Sequence, residues 1–229
     1  MNCKSRIMAL VFIGMALGVR SEAAELVTNG NFSAGNTGFA SAYNFVVGGS
    51  TSPGQYGIVS NPATGFTNGY ASYGDHTSGS GLMLLGDGTP GIALWLQTVN
   101  VVPNNAYTFS AWVCTPISPF PPVVRFSANG VALGPDFNVS ASPGIWQQFT
   151  TVYNSGPAST VVLRIEDVRT GAPTGNDLTV DDISLVGPPG LPFVPMVHPI
   201  ALGGIQLLLV SVAAFVMRRR HSMGPLRAS

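Results

Sequence analysis

The sequence predicts an all-β, two-sheet antiparallel sandwich followed by a single C-terminal transmembrane helix, and three observations carry that expectation. Several runs alternate apolar and polar residues with a period of two, as a strand with one buried and one wet face requires. Val161, Leu163 and Ile165 against Val162, Arg164 and Glu166 give the plainest example. The 28 Gly and 18 Pro among 229 residues cut the chain into pieces suited to short strands and turns rather than helices. The exception is residues 200–217, which hold no charge and no proline and as a helix would reach about 27 Å, the thickness of a bilayer core.

Residues 1–24 carry the parts of a secretory signal: Lys4 and Arg6, an apolar run over 7–17, and the small residues Ser21, Ala23 and Ala24, with cleavage expected after Ala23 or Ala24. The domain then runs over 25–187. Between Ser33 and Gly81 the chain is dominated by Gly, Ser, Thr and Asn, which reads as loops around one or two weakly marked strands near 44–47 and 56–59. Residues 82–85 form a compact apolar strand closed by Gly86-Asp87-Gly88.

Residues 92–114 read as two strands joined as a hairpin at Pro103-Asn104-Asn105. In the second, Tyr107, Phe109, Ala111 and Val113 share one face and Thr108, Ser110, Trp112 and Cys114 the other. In the first, apolar residues lie on both faces, Leu94 and Leu96 against Trp95, Val99 and Val101, which suggests a central strand. Residues 123–128 and 131–133 make a hairpin around Asn129-Gly130, a pair suited to a type I′ turn. Residues 146–153, 160–167 and 178–186 supply three more strands; Asp181-Asp182 breaks the alternation of the last one, where a bulge is expected.

The proline-rich stretch 188–199 reads as a semi-rigid linker, and Arg218, Arg219 and Arg220 open a basic tail, 218–229, at the end of the apolar helix. The positive-inside rule keeps that tail in the cytoplasm and the domain outside it. A buried core helix is the alternative reading of 200–217.

Charge is segregated. From Ala24 to Gly190 the chain has three arginines, Arg125, Arg164 and Arg169, against nine acids, a net charge of −6. That excludes the basic stripe a nucleic-acid partner requires. Cys3 lies in the signal segment, so Cys114 has no partner in the domain and reads as a small buried hydrophobe, with an intermolecular bridge or a reactive thiol as the alternative.

The order of a spacer with Pro195 and Pro199, a short apolar helix and Arg218, Arg219 and Arg220 resembles the PEP-CTERM sorting signal of exported bacterial proteins. That resemblance implies an exosortase-type processing enzyme as a partner. The family's Pro-Glu-Pro is replaced here by Val194-Pro195-Met196-Val197-His198-Pro199, and an ordinary membrane anchor is the alternative. The domain separately resembles the galactose-binding-like jelly rolls that include carbohydrate-binding modules, through ELVTNGNF at 25–32, LQTV at 96–99 leading into YTFSAW at 107–112, GIWQQFT at 144–150 and VDDISL at 180–185. This implies a jelly-roll sandwich and a polysaccharide of the cell surface or extracellular matrix as ligand.

In the resembling jelly rolls an acid near Asp181 and Asp182 helps bind a structural Ca²⁺ with groups of the first strand, here Gly30; Ser33 stands where the pattern carries Glu. A plain acid pair without metal, solvated or hydrogen-bonded, is the alternative. Trp95, Trp112 and Trp146 lie in strands and read first as core, though each could instead stack on a sugar ring; Trp112 with Tyr70 and Tyr73 of the long loop is the candidate ligand set. For catalysis, His76 beside Asp75 has no marked nucleophile, no G-x-S-x-G occurs, and adjacency does not make Glu166-Asp167 or Asp181-Asp182 a glycosidase pair. The expectation is therefore a non-catalytic carbohydrate-binding protein of the envelope, anchored or released after processing. A structural surface protein without a small ligand is the alternative, and a glycan-processing enzyme the least favoured class.

Overall fold

A computed structural model describes residues 23–48, 52–65, 69–171 and 176–188. The signal segment through Glu22, the linker after Pro188, the apolar helix and the sorting residues Pro195, Pro199, Arg218, Arg219 and Arg220 lie outside the described residues. Of the cleavage-site pair, Ala23 is exposed, and the Ala24 carbonyl accepts the Gly187 N–H. Among the described residues no helix is long and apolar enough to cross a membrane.

The described chain forms β1 (Asn44–Phe45), β2 (Gln55–Val59), a helical turn α1 (Pro62–Gly65), β3 (Met83–Gly86), β4 (Ala93–Asn100), β5 (Ala106–Cys114), β6 (Val123–Ala128), β7 (Val131–Ala132), β8 (Phe137–Asn138), β9 (Gln147–Asn154), β10 (Thr160–Asp167) and β11 (Leu178–Val186). Six strands pair in the order β1-β2-β3-β11-β5-β9, and the second sheet runs β4-β10-β6-β7 with β8 also on β6. Every pairing is antiparallel except β1 with β2. The two inner faces build one core. Tyr107, Phe109, Ala111 and Val113 of β5 meet Val161, Leu163 and Ile165 of β10 and Trp95 of β4, all nearly inaccessible. Phe126 of one sheet stacks on Phe149 of the other with centroids 3.7 Å apart, and Phe109 meets both edge-on. Each such buried ring contributes about 1.5–3 kcal/mol through removal from water.

Two sequence expectations change. The segments over 92–114 are not a hairpin: β4 pairs with β10, whereas β5 pairs with β11 and β9 in the opposite sheet. The five-residue connection turns a sandwich corner held by Val101 N–H to Ser159 and Asn104 N–H to Gly156. A corner lets Trp95 and Phe109 enter the same core from opposite sides, which a hairpin in one sheet would not. Nor is β4 central: it is an edge strand whose free side is taken by Ala40 and Ala42, bonded to Leu96 and Ala93. The Gln97 amide locks that cover by donating to the carbonyls of Thr28 and Gly38 and accepting from Thr28 N–H.

The remaining strands follow the alternation. At the β6–β7 hairpin, Asn129 and Gly130 have φ of 51° and 78°, as a type I′ turn demands. The bulge expected at Asp181-Asp182 is present: the β11–β5 register shifts between Asp181 and Ser184, and Asp182 has φ 45°. The shift keeps Leu178, Val180, Ile183 and Leu185 in one inward row despite the broken spacing.

Candidate functional site

On the outer face of the six-stranded sheet stand Asp177, just before β11, and Thr179 and Asp181 of β11, alternate residues that all point away from the core. All three are nonetheless buried, because residues 70–81 lie across them as a strap. Tyr70 hydrogen-bonds the Asp177 side chain. The hydroxyls of Tyr73 and Thr179 are bonded at 2.9 Å. At the third position Asp181 Oδ2 accepts the backbone N–H groups of His76 and Thr77, at 2.9 and 3.1 Å, and the Thr77 hydroxyl, while its Oδ1 accepts the Asp182 N–H. Asp182, turned outward by the bulge, pairs with His76 Nδ1 at 2.7 Å and accepts the Thr77 hydroxyl at 2.6 Å. Asp177, Thr179, Asp181 and Asp182 thus all have partners on the strap, the two adjacent acids sharing His76 and Thr77, whereas Ser184 farther along β11 bonds Glu25.

The strap holds its shape through Asp75, whose carboxylate accepts from Ser78 N–H, the Ser78 hydroxyl and Gly81 N–H. Gly74 is required by close approach: an added Cβ would lie 1.9 Å from the Gly79 carbonyl oxygen. Beneath the strap, Val59, Met83 and Leu85 form a second apolar cluster covered by Tyr70, Tyr73 and Trp146. Beside it, the β11–β5 and β5–β9 registers set Asp181, Trp112 and Gln148 in one row across three strands. His76 stacks on Trp112 with centroids 3.7 Å apart and meets Trp146 edge-on; Trp146 in turn meets Tyr73 and donates its indole N–H to Gly74.

Electrostatics follow from burial. Burial pushes Asp181 up to about 6, against the N–H groups of Asp182, Thr77 and His76 that favour its charged form. Burial and the adjacent Asp177 carboxyl push Asp87 up to about 7, and burial raises Asp177 as well. The Tyr70 and Tyr73 phenols and the Cys114 thiol are raised above their ordinary values by the same desolvation.

The structure brings the sequence-selected Tyr70, Tyr73 and Trp112 onto one sheet face and joins to them Trp146, read first as core, His76, weighed only for catalysis, and Thr77 and Thr179, which sequence reasoning had not selected. Of the three tryptophans expected in the core, Trp95 alone is there; Trp112 and Trp146 are partly exposed on the outer face. Alternation along β5 already placed Trp112 opposite the apolar row, and that was the available signal. Cys114 is a free, buried thiol, facing Thr179 across the ladder.

The metal expectation meets a different arrangement. The Gly30 carbonyl accepts Ile183 N–H, and a Cβ on Gly30 would stand 1.9 Å from the Ile183 oxygen. The Asp181 oxygens are occupied as above, Asp182 is paired with His76 and Thr77, and the Ser33 hydroxyl donates to Asn31. A shallow cleft of about 310 Å³ beside Glu25, Asn29 and Asp182 adjoins this seam, but among the described residues no group of three or more His, Cys, Asp or Glu is placed to hold a metal. Gly30, Asp181 and Asp182 as arranged do not fit a calcium ion, because protein donors and the His76 ring fill the positions that its oxygen ligands must leave open.

No protein-family model matches the chain, and no curated protein matches it. Among solved structures it is similar to the xylan-binding CBM22-1 domain of Xyn10C from Paenibacillus barcinonensis, at 13% identity over 73% of this chain and 96% of that one, with a TM-score of 0.44. It is also similar to a CBM4 structure, at 16% identity over 71% and 99% of the two chains with a TM-score of 0.39. A third similar structure is the sugar-binding C-terminal domain of EclA, at 16% identity over 43% and 69% with a TM-score of 0.38.

Proposed function

We propose that this domain is a galactose-binding-like jelly roll that binds carbohydrate without catalysis on the outer face of its six-stranded sheet. The observation that supports the reading is the band of partly exposed rings, Trp112, His76, Trp146 and Tyr73, set beside Ser110, Gln148 and Thr150. Rings match the apolar faces of sugars, and the amide and hydroxyls match their hydroxyl groups. Glycan arrays and polysaccharide affinity gels run with the intact chain and with Trp112→Ala test it. Retention of the parent on at least one polysaccharide, weakened about tenfold by the substitution, or about 1.4 kcal/mol, is the expected result. Retention on none, or retention indifferent to Trp112→Ala, refutes it.

A structural surface protein without a small ligand is the second reading, favoured by His76 already lying on the face of Trp112. Saturable binding to a defined glycan would refute that alternative. The wider proposal is an exported protein, anchored in the envelope or released from it by an exosortase-type enzyme. Lys4 is the only lysine, so signal removal leaves one amine per chain. Intact mass with amine labelling should give one label on a chain starting at Ala24 or Glu25; two labels on a chain starting at Met1 would contradict export with cleavage. The same mass separates loss of the end after 194–199, the sorting outcome, from a chain that keeps Arg218 to Ser229, the permanent anchor.

A further inference from the structure

Each sheet of a sandwich ends in two edges, and three of the four here are blunted in ways that prevent pairing with another chain. β1 and β7 are two residues long, and β4 is covered by Ala40 and Ala42. The fourth edge is β9. It is eight residues long, contains no Pro, Gly or charged residue, and pairs with β5 on one side only. On its other side it makes no backbone hydrogen bond to any described residue. Every second residue of such a strand turns its N–H and C=O outward. Outward on the sheet face stand Gln148, Thr150, Val152 and Asn154, all exposed, with Val152 at 60%.

We propose that β9 is a self-association edge, on which β9 of a second copy of this chain pairs antiparallel and continues the six-stranded sheet across a two-fold axis. Charge identifies the occupant. Two copies of a domain carrying −6 repel at most approaches, but β9 and the segments that flank it in sequence, from Phe137 to Leu163, hold no charged residue, so this strand brings no like charge of its own to the contact. The strand is also self-complementary. With Thr151 on the axis, Phe149 stands opposite Tyr153 of the second copy on the core side, and Thr150 opposite its Val152 and Gln148 opposite its Asn154 on the outer side. Aromatic and β-branched pairs of this kind are those that stabilise antiparallel ladders. An isologous contact of this type closes at two copies.

The test uses the full chain in detergent with Cys3→Ser, so that buried Cys114 is the only native thiol. Antiparallel partners on a two-fold have Cα atoms about 4.5–5.5 Å apart, within disulfide reach. Thr151→Cys should therefore form a covalent dimer under mild oxidation, and Val131→Cys, 68% exposed on β7 of the other sheet, should not. Sedimentation velocity should show a dimer that the double substitution Thr150→Lys, Val152→Lys converts to monomer without loss of folded signal. A monomer at about 100 µM, above the range in which small specific interfaces assemble, would overturn the proposal. So would association that survives the double lysine variant, or equal cross-linking at positions 131 and 151.

Discussion

The two faces of β11 are buried by different chemistry. Its inward row, Leu178, Val180, Ile183 and Leu185, is covered by apolar side chains of the other sheet, and any residue of similar size and polarity would serve there. Its outward row, Thr179 and Asp181 with Asp177 just ahead of the strand, is equally inaccessible, but each member depends on a directed hydrogen bond with the strap. Non-directional burial tolerates exchange and punishes only lost volume. Directional burial punishes the loss of a single atom, because the partner left behind is buried without a bond.

The largest expected effect lies on the inward row. Leu185→Ala should cost about 2–5 kcal/mol in urea unfolding, with a single cooperative transition throughout. On the outward row, Asp181→Ala leaves the N–H groups of His76, Thr77 and Asp182 without an acceptor and should cost about 1–3 kcal/mol. Its signature differs from that of Leu185→Ala: amide exchange should accelerate over 74–81 before the sheets are affected. Equal exchange changes in both variants would erase the distinction between the two faces.

A smaller effect concerns pH. Asp181 at about 6 and Asp87 at about 7, with Asp177 and Asp167 also raised by burial, hold protons in the folded chain that the unfolded chain releases near pH 4. Between about pH 4 and pH 7 the native state therefore binds more protons, and stability must fall as pH rises through that window. The melting temperature should be higher at pH 5 than at pH 8. The reverse order would mean that these carboxyls are solvated and the strap is open. The smallest effect is expected from metal: adding calcium or EDTA should leave the melting temperature unchanged, and a rise with calcium would show that Asp181 and Asp182 exchange their strap partners for an ion.

The inward rows were legible in the sequence because burial against a second sheet imposes a period of two, and Asn129-Gly130 announced its turn by its need for positive φ. The corner between β4 and β5 was not, since a five-residue connection containing Pro103 and two asparagines serves a hairpin or a corner equally well. The strap was hidden for another reason. Its Gly, Ser and Asp composition reads as solvent-facing loop, and its partners on β11 lie about a hundred residues away, so hydrogen bonds such as His76 to Asp182 leave no periodic trace. The one local signal was the break at Asp181-Asp182, which marked the bulge but not the residues that cover it.

Amide exchange of the intact chain, measured with and without a polysaccharide that retains it, tests most directly whether the strap-covered face is the functional one. The expected result is altered protection over 70–81, around Trp112 and at the start of β9, with β6, β7 and β8 of the other sheet unchanged. Altered protection centred on β6–β8, or retention with no change in the strap, would contradict the assignment of the ligand to this face.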